Sequence, residues 1–157
     1  MKKIAVFPGS FDPFTVGHEA VVLRSLKIFD EIIIAIGANE SKKGSFFSLE
    51  TRMKMINKVF EGEPRVKVDH YDGLTVDFCK AKGAGFLLRG LRTSADFEYE
   101  RAIAQVNKAM APELESVFLL TAPEHTPINS TIVKDILRHG GDASMFVPAS
   151  IDLKRYM

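Results

Sequence analysis

Residues 6–18 read V-F-P-G-S-F-D-P-F-T-V-G-H, and the rest of the chain is arranged around them. A short apolar run at residues 4–7 ends at Pro8-Gly9, and the next helical apolar pattern starts only beyond His18. This order predicts a strand, a tight loop and the start of a helix. Backbone N–H groups at a helix N-terminus lack intrahelical partners, and the helix dipole is positive there, so the junction suits an anion.

Gly17 and His18 are the residues of this junction that could meet a ligand. Gly17 lets the backbone come close to a bound group, and His18, in the first turn of the helix, points an imidazole donor at the same place. The alternative is a β-α turn that uses its glycines for geometry and carries a surface histidine. Gly9 and Gly17 match neither common glycine-rich phosphate loop, so the spacing alone leaves both interpretations open.

Length and composition narrow the class of protein. A chain of 157 residues has the length of one domain, and we expect a single domain over residues 1–157. The net charge of +1, with no basic block, argues against a nucleic-acid partner. Cys79 is the single cysteine; we expect it to pack as a small hydrophobe in a reducing compartment. No apolar run approaches the roughly 20 residues of a membrane span, so we expect a cytoplasmic protein without a membrane partner.

Apolar runs and helical patterns alternate along the chain, which is typical of a parallel α/β protein. Strands are predicted at residues 4–7, 32–36, 65–70, 86–88 and 116–121. Helices are predicted at residues 19–29, from a cap at Ser48 to Phe60, at 75–81, at 96–110, after a cap at Asn129 or Ser130, and at 148–156. The expected fold is a doubly wound, mainly parallel five-stranded sheet with helices on both faces.

In such a sheet the loops that follow the strands share one edge, and ligands bind where the strand order reverses. That edge is predicted to collect Ser10, His18, Lys42, Arg89, Arg92 and Ser130. These side chains are hydrogen-bond donors with few carboxylates among them, so we expect an anion site. Any one of the cations alone is equally compatible with a solvated surface residue, and it is their joint placement after successive strands that favours a site.

The predicted edge suits transfer between phosphates better than hydrolysis. Hydrolysis needs a base or a metal to activate water, and the sequence has no Asp/Glu/His cluster with metal-ligand spacing and no recognisable Ser-His-Asp triad. A phosphate monoester, with a second pKa of about 6, is already largely dianionic at neutral pH. As a nucleophile it needs positioning and charge screening more than deprotonation, and hydrogen-bond donors supply both.

Thr15-Val16-Gly17-His18 matches the (H/T)-x-G-H hallmark of the nucleotidyltransferase superfamily. Five further motifs accompany it in order: P-G-S-F-D-P at 8–13, S-K-K at 41–43, R-G-L-R-T-S-A-D-F-E-Y-E at 89–100, P-E-L-E-S-V-F at 112–118 and I-N-S-T-I-V-K at 128–134. A T-x-G-H tetrapeptide alone is weak, whereas five motifs at these spacings are specific. With them the chain resembles the bacterial phosphopantetheine adenylyltransferase family over essentially its full length.

The resemblance implies a Rossmann-like nucleotidyltransferase fold and the penultimate step of coenzyme A synthesis. In that step the phosphate of 4'-phosphopantetheine attacks the α-phosphorus of ATP in line, giving dephospho-coenzyme A and pyrophosphate. Catalytic roles are implied for Ser10, His18, Lys42 and Arg92, and substrate binding for Ser10, Lys42, Thr75 and Arg89. ATP binding is implied for Ser10, Phe11, His18, Gly90, Leu91, Arg92, Glu100, His125, Thr126, Pro127, Ile128, Asn129, Ser130 and Thr131.

The resemblance also implies Mg²⁺ carried on the ATP phosphates rather than bound at a protein metal site. A homohexamer and feedback inhibition by coenzyme A are further expectations. The chain departs from the family at Ser10, where Thr is common, and at Asn129, where Ser is usual. His125-Thr126-Pro127 replaces an aromatic-containing version, which leaves the packing of adenine open.

Two other functions fit part of the pattern. T-x-G-H does not separate this family from cytidylyltransferases or nicotinamide-nucleotide adenylyltransferases, although the motif at 89–100 favours phosphopantetheine. A nucleotide-binding module without chemistry would keep the glycines and helix N-termini but could dispense with His18 and Lys42, and both are present.

Overall fold

A computed structural model describes residues 1–37 and 44–157 of the chain. Within these residues five parallel strands form a sheet in the order β3-β2-β1-β4-β5. The strands are β1 (Ile4–Gly9), β2 (Glu31–Gly37), β3 (Val66–Tyr71), β4 (Phe86–Leu91) and β5 (Glu115–Leu120). The helices are α1 (Val16–Ser25), α2 (Leu49–Val59), α3 (Thr75–Ala81), α4 (Ser94–Met110) and α5 (Ser130–Arg138). The predicted doubly wound fold is confirmed, and its strand order reverses beside β1.

The central strands are apolar on both faces because each face is covered. Successive side chains of a strand point to opposite faces. Ala5 and Ile34 therefore pack in one layer with α1 and α2, while Val6 and Ile33 pack in the opposite layer with α3. Cys79 of α3 lies buried in this second layer as a free thiol, as predicted.

The C-terminal segment does not form the helix predicted at residues 148–156. A 3₁₀ turn at Leu153–Arg155 follows a turn in which the Ile151 N–H donates to the Pro148 carbonyl at 2.9 Å. Ile151 and Leu153 both enter a third apolar cluster that joins α2 and α5. Side chains two residues apart cannot share one face of a helix, so packing into this cluster excludes the predicted helix.

Several element boundaries also differ from the prediction, and two of them matter for the site. Helix α1 begins at Val16 rather than residue 19 because Thr15 acts as its N-cap. It ends at Ser25 rather than residue 29, where the Ile28 and Phe29 N–H groups both donate to the Ser25 carbonyl at 2.9 Å. Strand β4 continues to Leu91, so Arg89 lies inside the strand, in register with Phe118.

Helix α4 carries an apolar stripe that this chain leaves uncovered. Its aligned residues Tyr99, Ile103, Val106 and Met110 are 69%, 39%, 58% and 50% exposed. The other side of the helix packs on β4 and β5. None of the helices in the described residues is long and apolar enough to cross a membrane.

Candidate active site

A cleft of about 260 Å³ opens where the strand order reverses, at the carboxyl ends of β1 and β4. Its walls come from the loop between β1 and α1, the first turns of α1 and α4, and the 3₁₀ turn Pro123–His125. The predicted site residues that line it are Ser10, Phe11, His18, Arg89, Gly90, Arg92, Glu100, His125, Ile128 and Asn129. The edge rule of doubly wound sheets thus located the cleft correctly.

A second cleft, of about 300 Å³, lies beside the first along β4 and α4. Thr75, predicted to bind the acceptor, lines this second cleft at the start of α3. The lining residues common to both clefts are Pro8, Gly9, Ser10, Arg89, Tyr99 and Glu100. The two spaces therefore meet at the end of β1, where Ser10 stands between them.

Some predicted residues are not among those that line either cleft: Leu91, Thr126, Pro127, Ser130 and Thr131. The Ser130 hydroxyl donates to the Pro13 carbonyl at 2.8 Å, so it ties α5 to the loop after β1. Asn129 caps α5 by accepting the Ile132 N–H at 2.9 Å, as predicted for either residue there. Lys42 lies outside the described residues.

Sequence reasoning passed over lining residues that the structure brings into the first cleft, among them Thr15, Asp96, Tyr99 and Thr121. Asp96 and Tyr99 stand within the quoted motif at 89–100, three positions apart in the first turns of α4. That spacing puts both on one side of the helix, which was the available signal.

His18 is held by a capping box at the start of α1. The Thr15 hydroxyl accepts the His18 backbone N–H at 3.3 Å, and the Thr15 backbone N–H donates to His18 Nδ1 at 2.9 Å. Because Nδ1 accepts this bond, the proton of the neutral imidazole resides on Nε2. Nε2–H is thus the ring donor left for the cleft that His18 lines.

Aromatic rings surround the His18 imidazole. The ring centroids of Phe11 and Phe14 lie 5.0 and 5.3 Å from that of His18, and Phe7 lies 6.2 Å away. Burial among these rings, aided by the positive charges of Arg89 and Arg92, lowers the pKa of His18 from 6.5 to about 3. His18 is therefore a neutral hydrogen-bond donor at physiological pH rather than an imidazolium.

Arg89, near the end of β4, and Arg92, directly after it, are each paired with a carboxylate of α4. Arg89 donates from Nε and Nη2 to Glu100 at 2.9 and 2.8 Å, and from Nη1 to the Pro8 carbonyl. Arg92 donates from Nε to Asp96 at 3.1 Å. The expectation of few carboxylates at this edge was therefore wrong. Helix α4 lies across the end of β4 and places Asp96 and Glu100 in the cleft. The formal charges on these four side chains sum to zero.

The loop that carries Ser10 is fixed from the side of α2. Asp12 is buried and accepts the N–H groups of Phe46 and Phe47 at 2.7 and 2.9 Å. Arg52, also buried, donates from Nη1 to the Ser10 carbonyl at 2.7 Å. These bonds fix the backbone of the P-G-S-F-D-P motif, so the motif has a structural role.

Gly9 is required by the same loop. A Cβ atom at Gly9 would lie 2.9 Å from Cζ of the Phe11 ring, closer than side-chain carbons approach each other. Phe11 has φ of 47°, in the left-handed region, which turns its ring back over Gly9 and against His18. The glycine therefore allows the ring packing that buries His18.

The described part of the chain contains no group of three or more His, Cys, Asp or Glu side chains arranged to hold a metal ion. The carboxylates of the first cleft, Asp96 and Glu100, are engaged by arginines. A divalent cation would thus take few ligands from these side chains.

A family model described as cytidylyltransferase-like matches residues 6–136. A phosphopantetheine adenylyltransferase of Flavobacterium psychrophilum is 53% identical over 96% of this chain and 98% of its own length. One of Leptospira biflexa is 53% identical over 94% and 92%. Among solved structures, a bifunctional NMN adenylyltransferase/ADP ribose pyrophosphatase from Francisella tularensis superposes with a TM-score of 0.70 at 19% identity, covering 94% of this chain and 45% of that one; it shares the fold.

Proposed function

The chain belongs to the phosphopantetheine adenylyltransferase family, within the cytidylyltransferase-like enzymes, and from this premise we propose how its residues divide the reaction. The reaction transfers the adenylyl group of ATP to 4'-phosphopantetheine and yields dephospho-coenzyme A and pyrophosphate. The observation that supports the proposal most is the pair of clefts that meet at Ser10, since a two-substrate transfer needs two sites with a common boundary.

The nucleotide occupies the first cleft and the pantetheine arm the second. The arm runs toward Thr75, and the acceptor phosphate lies at the boundary, near the Ser10 hydroxyl and Arg89. Lys42 is assigned to the same phosphate through its motif in the sequence. Arg89 has five N–H donors, and three of its nitrogens already bind Glu100 and Pro8, so it is a fixed cation rather than a mobile one.

In the chemical step an oxygen of the acceptor phosphate forms a bond to the α-phosphorus while the bond from that phosphorus to the bridging oxygen of pyrophosphate breaks. The dianionic acceptor needs no base, which agrees with a His18 that stays neutral. His18 Nε2–H donates to an α-phosphate oxygen as charge grows on it. Arg92 meets the remaining phosphates.

The other residues assigned to ATP fall into two groups. Those that line the first cleft are Gly90, Glu100, His125, Ile128 and Asn129, and those that follow from the sequence motifs alone are Leu91, Thr126, Pro127, Ser130 and Thr131. Gly90 lies at the end of β4, where an added Cβ would come within 3.1 Å of Val21. Asn129 is the N-cap of α5, so the start of this helix is formed without a hydroxyl at that position. The full set proposed for ATP is Ser10, Phe11, His18, Gly90, Leu91, Arg92, Glu100 and residues 125–131.

Mg²⁺ enters with the nucleotide as MgATP, bound mainly to phosphate oxygens and water. This agrees with the ion's preference for retained waters and with cleft carboxylates that are already paired. The ion also supplies positive charge that the balanced side chains of the cleft do not provide.

The protein assembles with copies of itself, as a hexamer, through the apolar stripe of α4. Tyr99, Ile103, Val106 and Met110 follow each other at spacings of four, three and four residues, which is the pattern of a helix that packs on another helix. Tyr99 and Ile103 also line the second cleft, so an assembled neighbour would stand close to the acceptor.

Coenzyme A inhibits the enzyme by occupying both clefts. It contains the pantetheine arm and an adenine nucleotide in one molecule, and the two clefts are continuous at Ser10. We assign the enzyme to the cytoplasm, where ATP is available and a buried thiol such as Cys79 stays reduced.

The acceptor assignment is tested by a panel assay. The protein is supplied with MgATP and, separately, 4'-phosphopantetheine, nicotinamide mononucleotide, nicotinate mononucleotide and glycerol 3-phosphate, and pyrophosphate release is measured. We expect release with 4'-phosphopantetheine and none above background with the others. Release with a mononucleotide and none with 4'-phosphopantetheine would overturn the assignment of the second cleft. A parallel panel with CTP in place of ATP tests the nucleotide.

A further inference from the structure

The Arg92 side chain is held by a single carboxylate at two places. Oδ2 of Asp96 accepts both the Arg92 backbone N–H, at 3.0 Å, and Nε, at 3.1 Å, while Oδ1 lies 3.4 Å from Nη2. The Asp96 N–H donates in turn to Thr93, the N-cap of α4. The chain after β4 and the guanidinium at its end are thus fixed by the same side chain.

Arg89 and Arg92 differ in whether Nη1 remains free to bind a ligand once each arginine has paired with its carboxylate. Each presents its Nε and Nη2 edge to a carboxylate of α4, but Arg89 also uses Nη1, which binds the Pro8 carbonyl. Within the described residues, Nη1 of Arg92 has no hydrogen-bond acceptor. Arg92 lines the first cleft and is about one third exposed, so its unused edge is accessible to a ligand there.

We infer, on the basis of the proposed adenylyl transfer, that Asp96 is a positioning residue that holds Arg92 with its Nη1 edge toward the phosphates of MgATP. An arginine side chain has many rotamers, and fixing it before the nucleotide arrives removes an ordering cost from the reaction. A bidentate carboxylate fixes the plane of the guanidinium as well as its place. Asp96 does not touch the reacting atoms and acts only through Arg92.

The Asp96 carboxylate, which favours turnover by orienting Arg92, disfavours the ground-state binding of MgATP. It lies in a cleft meant for a polyanion and cancels the charge of the arginine it holds. Removing its charge should therefore leave the affinity for MgATP unchanged or increase it, while turnover falls because Arg92 loses its orientation. This opposition of signs separates a positioning role from a structural one, since damage to the cleft would weaken both binding and turnover.

The test is Asp96→Asn, which keeps an oxygen for the Arg92 backbone N–H and removes the ion pair. We expect kcat to fall about 10- to 100-fold, with the KM and the calorimetric Kd for MgATP equal to or below those of the wild type. Asp96→Glu restores the charge on a longer side chain and should recover part of kcat. In an Arg92→Ala background, Asp96→Asn should cause no further loss.

Glu98→Gln is the matched control, because Glu98 stands in the same turn region of α4 and pairs with Arg101 away from the cleft. It should leave kcat and KM unchanged, and circular dichroism should show all variants folded. An Asp96→Asn enzyme with wild-type kcat, or one in which MgATP binding and kcat are both weakened, would overturn the role of Asp96 while adenylyl transfer stands. A wild-type protein that releases no pyrophosphate from MgATP and 4'-phosphopantetheine would overturn both.

Discussion

At the scale of single residues, the site depends on a histidine whose chemistry is set by its neighbours. The Thr15 N–H fixes the proton of His18 on Nε2, and the rings of Phe11 and Phe14 pack against its imidazole. The same burial that lowers the pKa to about 3 strengthens a hydrogen bond from Nε2 to a charged oxygen. A solvated histidine would exchange that donor with water and titrate near neutral pH.

His18→Ala should lower kcat about 10²- to 10³-fold, comparable to the loss of one oxyanion donor, with a much smaller change in ATP affinity. His18 takes up a proton only near pH 3, so it does not set the rate between about pH 5 and pH 8. The acid limb of kcat/KM for the acceptor should lie near pH 6, where the acceptor phosphate gains its second proton as pH falls.

Steady-state kinetics across this pH range checks both statements, with the exposed His139→Ala as control. The assigned role fails if His18→Ala loses less than tenfold in kcat. It also fails if the acid limb disappears in the variant, since that would make His18 the titrating group.

At the scale of elements, the N-caps determine at which residue a helix starts and which side chains lie in its first turn. Thr15 and Ser48 both cap a helix by accepting a backbone N–H, but only the cap of α1 belongs to a capping box that contains a cleft side chain. The start of α1 at Val16, earlier than the apolar pattern predicts, is what places His18 at the third helical position.

Thr15→Ala and Ser48→Ala form a matched pair. Each loses one cap, so the free energy of unfolding should fall by about 1 kcal/mol in both, and somewhat more for the buried Thr15. Only Thr15→Ala should reduce kcat, by about three- to tenfold. It removes the Thr15 hydroxyl, which lies 3.2 Å from His18 Nδ1, and leaves the Thr15 backbone N–H to hold the ring. Urea denaturation and initial rates measure the two effects. Equal kcat values for the two variants would show that the α1 cap has no part in orienting the ring.

At the scale of the whole molecule, the apolar stripe of α4 makes assembly testable. Val106 is 58% exposed, and an aspartate there would place a charge inside a helix-to-helix contact. Val106→Asp should therefore lower the molar mass measured by light scattering after gel filtration, while its circular dichroism stays that of the wild type.

Leu23→Asp is the control for this substitution, because Leu23 is a comparably exposed apolar residue on α1, at 50%. It should keep the mass of the wild-type assembly. A folded Val106→Asp protein with an unchanged assembly would rule out the α4 stripe as an interface, and a monomeric wild type would rule out the hexamer itself.

The architecture could be predicted from the sequence because its signals are local. A strand that is apolar on both faces, such as residues 32–36, is recognised from side chains that are adjacent in sequence. An N-cap such as Ser48 is likewise recognised from residues within one helical turn. The predicted helix at residues 148–156 was wrong for the complementary reason. Pro148 suits the first position of a helix, but Ile151 and Leu153 pack into an apolar cluster with residues distant in sequence, and the cluster decides the conformation.

The sequence by itself determined the alternation of strands and helices, the family motifs and the sheet edge at which the first cleft opens. Only the tertiary structure determined the net charge of that edge and the protonation state of its histidine. Arg89 meets the Pro8 carbonyl across 81 positions of chain, and α4 brings Asp96 and Glu100 into a cleft expected to hold donors. Charge pairing and desolvation depend on distances in space, and these are set only when β4 and α4 pack beside β1.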